Sequence, residues 1–402
     1  MTKYFFILLA CIMAFLVISF VSLKYTSGDF DVYYSTGQNF LNKAPVYIAH
    51  DGIDEFKYAP LFALLFSPLT FLDKISALYL WTVLNIVFFY AIFFLLYKLK
   101  QISFNQPKDL MIAICLLALT GRFIFNNFRL GQVNMFLCFL MVLMIYLEIN
   151  KKYFWTAVVL SFSLTIKFFP LLFVLYFLLR KRFKILVYCL PVLVLFLLLP
   201  SLYTGWGLNL KYLHDWQVLL GSTPATLMYS VKNNSFLSYY SWLFIARHEP
   251  YHMFGYDLIK KGLTWSVYFA WMISCIVFFI LFYYDTFLKR DKDLNVTYLD
   301  YASLFVCGLL FNPLAYLNAL TFMIIPYFFI LRYLFYSQVS RKYVYLTVGL
   351  ICLSFILNML DNKVFFRNPY FYFDILELKP LMWSIILVYL SLWVAKFSLK
   401  LK

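Results

Sequence analysis

The sequence predicts an all-α polytopic membrane protein, and three observations predict it. Of 402 residues, 64% are hydrophobic and only 13% charged, where globular chains average about half and about a quarter. Mean hydropathy is +0.82. Apolar runs of about twenty residues recur from one end of the chain to the other, each long enough to cross a bilayer. A soluble fold of this length has no core large enough for so much apolar surface, so the solvent is lipid.

The first run, 4–24, reads as a span and not a cleavable signal: it is too long, no small-residue cleavage site follows, and more spans come after it. Next comes Gly28-Asp29-Phe30-Asp31-Val32-Tyr33-Tyr34, with a helix expected at Val32–Leu41. Two carboxylates at the edge of a span are costly and mark a functional site by default. The apolar segment 59–68 is too short to cross. Counting it as a span would invert every later loop, so it is expected in the interface as a short amphipathic or re-entrant helix. Further spans are expected at 75–97, 110–126, 132–149, 153–166, 168–180, 184–200, 263–284, 297–311, 314–335, 342–359 and 380–398, about twelve in all. Two of them, 153–166 and 168–180, are short and meet at Lys167-Phe168-Phe169-Pro170. They form a hairpin whose tip belongs within protein or at a cavity, where broken helices are allowed.

The net charge of +16 would suggest nucleic acid on a soluble protein. Here the cations sit in short clusters between apolar runs: Lys98/Lys100/Lys108, Lys151/Lys152, Arg180-Lys181-Arg182 with Lys184, Lys289/Arg290/Lys292, Arg341/Lys342 and Lys400/Lys402. All fall on one side, which positive-inside bias makes the cytoplasm, with both termini inside. The long connections 25–74, 201–262 and 360–379 then lie outside. They hold Asp29, Asp31, Asp51, Asp54, Glu55 and all four histidines (50, 214, 248, 252). One integral-membrane domain, 1–402, is expected, with 25–74 and 201–262 as its first and second outer loops. Membrane lipids, including a phosphate-bearing lipid, are the expected partners, not nucleic acid. The seven cysteines lie in or at the ends of apolar runs and have no metal or disulfide spacing.

Several constellations carry chemistry. Asp29/Asp31 reads as a metal-nucleotide Asp-x-Asp, as a general base for an acceptor hydroxyl, or as helix-capping acids. The first reading lacks the α/β domain it needs, and capping is the commonest role for an isolated Asp pair. His248-Glu249-Pro250-Tyr251-His252 matches His-Glu-x-x-His, but Pro250 forbids the helix on which a zinc protease needs it. No metal site is expected. Arg122, Arg129 and Lys167 are either snorkelling anchors or partners for a lipid-linked phosphate. Lys167, mid-hairpin, has little room to snorkel. Gly131-Gln132 at a helix start suits close backbone approach and amide hydrogen bonding. Ser230-Val231-Lys232-Asn233-Asn234-Ser235-Phe236 puts the Lys232 cation beside amides, and either recognises a sugar or caps a helix at Phe236–Ala246. A flippase for lipid-linked sugars is a further class, but it predicts paired broken helices in two related halves, and one hairpin is visible.

In this order, Asp29-Phe30-Asp31-Val32-Tyr33-Tyr34, Phe56-Lys57-Tyr58-Ala59-Pro60 with Ser67-Pro68-Leu69, Leu130-Gly131-Gln132-Val133-Asn134, Thr165-Ile166-Lys167-Phe168-Phe169-Pro170, Asn233-Asn234-Ser235-Phe236 and Asn312-Pro313-Leu314-Ala315-Tyr316 resemble glycosyltransferase family 87. The resemblance implies a GT-C fold and a hexosyltransferase, mannosyl by analogy, that uses a polyprenyl-phosphate sugar donor and a glycan or glycolipid acceptor at the outer face of the plasma membrane. It implies inversion at the anomeric carbon, with Asp29 as base and Asp31 as second choice. Arg129, Gln132, Lys167, Arg122, Lys232, Asn234 and Asn318 become donor-phosphate or sugar contacts, with no cofactor. Two positions depart from the pattern. Asn318 stands where the family often has histidine, and an amide cannot shuttle a proton near neutrality. Asn234 stands where Gln is usual. His214 and His252 are the outer histidines open to the missing role.

Overall fold

A computed structural model describes residues 28–47, 55–103, 105–221, 230, 232–244, 264–284, 294–362, 364 and 375–401. The expected span 4–24, Lys3, His50, Asp51, Asp54, the 248–252 motif, the cluster at 289–292 and Lys402 lie outside them. The described residues are helical and contain no strand. They group into two compact units, Met1–Leu110 with Arg122–Thr223, and Met111–Gly121 with Pro224–Lys402.

The first unit opens with α1 (Asp29–Leu41) and the short α2 (Pro60–Phe66), which a 3₁₀ stretch extends to Phe71. Pro60 sits in the first turn of α2, where its missing N–H costs nothing. The segment 59–68 is thus a short helix, as its length required. α3 (Lys74–Lys98) is capped by Asp73, whose carboxylate accepts from the Ile75 and Ser76 amides at 3.0 and 3.1 Å. There follow α4 (Pro107–Arg129), α5 (Asn134–Ile149), α6 (Tyr153–Ile166), α7 (Leu171–Leu179), α8 (Phe183–Leu198), α9 (Ser201–Thr204) and α10 (Trp206–Gly221). The expected hairpin is present. α6 stops because Lys167 is extended (φ −147°, ψ 154°), and Pro170 then starts α7.

Aromatic contacts set helix direction. Trp81 Nε1 donates to the Gly131 carbonyl at 2.7 Å, and Phe88 lies 4.6 Å from Phe136, so α3 and α5 run parallel. Phe154–Tyr188 and Phe162–Phe196, at 5.6 and 5.8 Å, align α6 with α8 in the same way. The turns after α3, α5 and α7 therefore share one end of the unit. At that end Arg182 Nε meets Glu148 Oε1 at 3.0 Å.

Four helices of this unit, α1, α3, α5 and α7, end on a left-handed residue, and each time it is lysine: Lys43, Lys100, Lys151 and Lys181. After α5, the Lys151 amide donates to Glu148 and that of Lys152 to Leu147, at 2.9 and 2.8 Å, the paired bonds of a Schellman close. Glycine usually fills this position. A Cβ there costs on the order of 1 kcal/mol.

The second unit contains α11 (Phe236–Phe244), α12 (Thr264–Tyr283), α13 (Leu294–Phe311), a 3₁₀ stretch over Leu317–Met323 that leads into α14 (Ile324–Tyr336), α15 (Arg341–Leu360) and α16 (Pro380–Lys400). Polar groups in its core are mutually satisfied. Tyr327 and Ser354 hydroxyls meet at 2.8 Å, and Ser354 meets Ser384 at 2.7 Å, tying α14, α15 and α16 together. Asp300 on α13 and Lys396 on α16, each 1% exposed, face each other at 3.4 Å.

Among the described residues, eight helices are long and apolar enough to cross a membrane: Lys74–Lys98, Pro107–Arg129, Phe183–Thr204, Trp265–Tyr283, Leu294–Phe311, Leu317–Tyr336, Arg341–Leu360 and Pro380–Lys400. They match eight of the expected spans. The segments 132–149, 153–166 and 168–180 form shorter helices. Large apolar side chains such as Val187, Leu190 and Trp265 point outward, the pattern of a surface solvated by lipid. The chain is an all-α, multi-pass membrane protein.

The Asp300–Lys396 pair yields a stability prediction. Removing one partner strands a charge in apolar surroundings, so Asp300→Ala should cost about 3–5 kcal/mol, whereas the paired Asp300→Leu/Lys396→Met change should be near neutral. Thermal unfolding in detergent measures both. Equal losses in the two variants would contradict this account of the pair.

Candidate active site

The candidate site lies in the first unit and is built on three breaks in helical structure: the start of α1, the turn between α4 and α5, and the tip of the α6–α7 hairpin. The α4–α5 turn is closed by backbone bonds from Leu130 to Asn126 at 3.2 Å, Gly131 to Phe128 at 3.0 Å and Gln132 to Asn127 at 2.9 Å. Gly131 has φ +61°, and a Cβ on it would come within 2.6 Å of Phe30 Cβ. The Phe30 amide donates to the Leu130 carbonyl at 3.2 Å, and a Cβ on Gly28 would lie 3.0 Å from the same oxygen. Two glycines thus allow the start of α1 to dock on this turn, which places Asp29.

The helix begins at Asp29, three residues before the expected Val32, because Gly28 serves as N-cap. Neither carboxylate caps the helix. Both lie in its first turn, where the helix dipole favours negative charge. Asp31 is engaged elsewhere, its Oδ1 2.9 Å from Lys74 Nζ. Asp29 faces the interior of the site and acts electrostatically on both Tyr33 and Lys167.

Tyr33 is one helical turn past Asp29 and so on the same face. Its hydroxyl meets that of Tyr58 at 2.8 Å and reaches Gln132 Oε1 at 3.5 Å. Burial holds its phenol well above the usual value, with Tyr58 and Asp29 acting in the same direction. Lys167, at the hairpin tip, donates to Asn134 Oδ1 at 2.6 Å, and its ammonium lies 6.0 Å from the Tyr58 ring centroid. Burial lowers this ammonium to about 8, and the Asp29 carboxylate pulls the other way. The Ala59 amide donates to the Thr165 carbonyl at 2.9 Å, joining the segment that bears Tyr58 to the hairpin.

Asp29, Gln132 and Lys167 are therefore brought together. Arg129 is not aimed at this cluster: it is exposed, and its Nη2 donates to Asn126 Oδ1 at 3.1 Å along its own helix. Arg122 lies about two turns earlier on α4, half-buried. His214 is exposed on α10, 3.5 Å from Asp215. Tyr33, Tyr58 and Asn134 were not among the residues expected at the site. Their sequence signals were weak, because tyrosine is abundant in any interfacial belt and Asn134 looked like a helix-start amide.

The second unit holds a separate polar knot. Asn233 Nδ2 and Ser235 Oγ both donate to the Pro313 carbonyl, at 2.8 and 2.9 Å, and Asn233 Oδ1 accepts from the Ala315 amide at 2.9 Å. The Asn234 amide returns a bond to the Ala315 carbonyl at 2.8 Å. Two of the recognised stretches thus pin one another. Asn234 is 2% exposed, its Nδ2 donates to the Lys232 carbonyl at 3.0 Å, and its Oδ1 has no partner among the described residues. Lys232 is exposed, and Asn318 is half-buried with its carbonyl accepting from Thr321 at 2.8 Å. Ser235 also accepts from the Ser238 amide at 3.2 Å, capping α11, so this stretch does cap a helix. No group of three metal-ligating side chains occurs among the described residues.

A polytopic all-α protein whose ionisable groups gather at helix breaks has the build of a membrane-embedded enzyme. The sequence model of glycosyltransferase family 87 matches residues 56–313, more than half of the chain, and the chain belongs to that family. It is a glycosyltransferase. Asp29 precedes the matched segment and Asn318 follows it. No curated protein matches the chain.

Docking of α1 on the α4–α5 turn is directly testable. Gly131→Ala combines a left-handed backbone with a steric overlap, and should lower stability by about 2 kcal/mol or more. Gly207→Ala, with open space around it and no positive φ, should cost less. Melting temperatures of the two purified variants make the comparison. Equal losses would mean that contact with Phe30 carries nothing.

Proposed function

We propose that the protein is an inverting hexosyltransferase that moves a sugar, mannose in our reading, from a polyprenyl-phosphate donor to a glycan or glycolipid acceptor. Asp29 removes the proton from the acceptor hydroxyl. That oxygen forms the new bond to the anomeric carbon as the bond to the phosphate oxygen breaks, and the polyprenyl phosphate departs with the electron pair. Lys167 holds the phosphate and offsets the charge developing on it. Gln132 hydrogen-bonds donor or sugar. Asn234, whose Oδ1 has no partner among the described residues, Asn318 and Lys232 are sugar or phosphate contacts in this reading. Arg129 and Arg122 serve as outer phosphate contacts.

The observation that carries this reading is the placement of one carboxylate, one half-buried lysine and one buried amide in a single cluster, with Asp31 diverted to Lys74. A tail-bearing donor fits the surroundings. Phe168 and Leu171 at the hairpin, and Leu65 and Phe71 beside α2, are large, apolar and exposed, as a groove for a prenyl chain requires. The positive-inside pattern supports an outer-face site with both termini in the cytoplasm, and in our reading the membrane is the plasma membrane.

Membranes incubated with radiolabelled polyprenyl-phosphate mannose, glucose or arabinose test donor and reaction together. Label should leave the lipid only when this protein is present. Asp29→Asn should reduce transfer by about 10²–10⁴-fold with insertion unchanged, whereas Asp31→Asn keeps most of it. Turnover surviving in Asp29→Asn would remove that residue from the chemistry.

A pH dependence follows from Lys167. Its ammonium loses its proton as pH rises through about 8, so the KM for the donor should climb above that pH and stay flat below it. Lys167→Arg, which keeps its charge, should abolish the climb. A donor KM in the unmodified protein that does not change across this range would separate Lys167 from the phosphate.

A further inference from the structure

One end of the first unit concentrates cations on backbone that disfavours them. α3, α5 and α7 close there on Lys100 (φ 58°), Lys151 (φ 59°) and Lys181 (φ 56°). Each makes the same paired bonds as the α5 close. Lys100 donates to Tyr97 and Gln101 to Leu96, both at 2.9 Å, while Lys181 donates to Leu178 and Arg182 to Phe177 at 3.0 and 2.8 Å. Glycine is the least strained residue at such a position, yet three lysines occupy it at one end. The benefit must lie in their side chains, and all three residues are exposed.

The rest of this end fits the same purpose. Glu148 is buried against Arg182 at 3.0 Å, and Asp109 is buried while accepting from the Ser103 amide and hydroxyl at 3.2 and 2.8 Å. The acids are thus used internally and the outward charge is positive. Tyr97, Phe154, Trp155 and Phe183 are exposed just beside these turns, the aromatic belt of a membrane–water boundary. The lysines therefore sit at headgroup level. A lysine at a helix C-terminus also faces the negative end of the helix dipole, which favours the ammonium there.

We propose that this face binds the acidic headgroups of the bilayer leaflet it meets, with Lys100, Lys151 and Lys181 as its anchors. The inference uses only the membrane character of the fold and is independent of the donor, the acceptor and the sugar. The occupant is lipid and not a soluble anion, because the exposed cations lie beside exposed aromatic side chains at one end of the unit.

The full-length protein in neutral detergent, exposed to phosphatidylglycerol or phosphatidylcholine and weighed by native mass spectrometry, gives the readout. The triple variant Lys100→Gln/Lys151→Gln/Lys181→Gln removes charge and keeps the Cβ. It should retain phosphatidylglycerol about fivefold less per lysine removed, with phosphatidylcholine and melting temperature unchanged. The corresponding triple glycine variant should lose the same lipid and melt higher, because the backbone strain is relieved. Lys43→Gly is the control. Lys43 is left-handed too (φ 53°), but it lies near Tyr203, which donates to the Leu41 carbonyl at 2.8 Å roughly 30 Å along α8 from Lys181. This variant should melt higher and keep its phosphatidylglycerol. Wild-type retention of phosphatidylglycerol in the triple glutamine variant would overturn the proposal. So would equal loss of both lipids, or displacement of phosphatidylglycerol by inorganic phosphate.

Discussion

The candidate site depends on one close approach, that of the first turn of α1 to the Leu130–Gly131 turn. Everything that gives Asp29 a defined position passes through it: the Phe30–Leu130 bond, the absence of a side chain at Gly28 and Gly131, and the Trp81 indole that holds the Gly131 carbonyl from the other side. A span alone does not supply this. Helices in lipid satisfy their own backbones and slide on apolar surfaces with little specificity. Register has to come from polar contacts at their ends, and here it does.

The same reasoning explains why the ionisable groups sit at breaks. In a lipid-solvated fold, an unpaired charge within a span is expensive. The protein handles this in two ways. Asp300 and Lys396 are buried between spans and satisfy each other, which leaves little capacity for chemistry. Lys167 is half-buried at a hairpin tip, where an amide oxygen and a tyrosine ring replace water only in part. The result is a lysine whose charge is held less firmly than usual and so can respond to a second anion. A structural pair and a reactive cation differ here in how completely the surroundings answer the charge.

Much of this was legible in the sequence, for reasons that can be named. Long apolar runs specify spans by a length rule, so eight of them were found to within a few residues. The 59–68 helix and the hairpin followed from runs too short to cross and from Pro170. Asp29, Gln132 and Lys167 stood out because polarity is rare in such a chain. The site's geometry was not legible. The Arg129 side chain donates to Asn126 on its own helix, a contact that depends on the rotamer of a flexible side chain and so leaves no mark in the sequence. The start of α1 was placed three residues late because glycine as N-cap is a weak signal beside two acids. Tyr33 and Tyr58 were hidden among 34 tyrosines, and only tertiary contact distinguishes a belt tyrosine from one that lies under a lysine.

The two polar clusters show one construction principle applied twice. In the first unit, α1, the Tyr58 segment, the α4–α5 turn and the hairpin are tied by hydrogen bonds between elements distant in sequence. In the second, the 233–235 turn and the Pro313–Ala315 segment are tied by four bonds that satisfy backbone groups in the connection after α13. Each cluster uses up backbone groups that a broken helix would otherwise leave unpaired at bilayer depth. The breaks are thus stabilised by the same residues that carry the clustered polar side chains: a break without its partner would leave bare backbone in lipid.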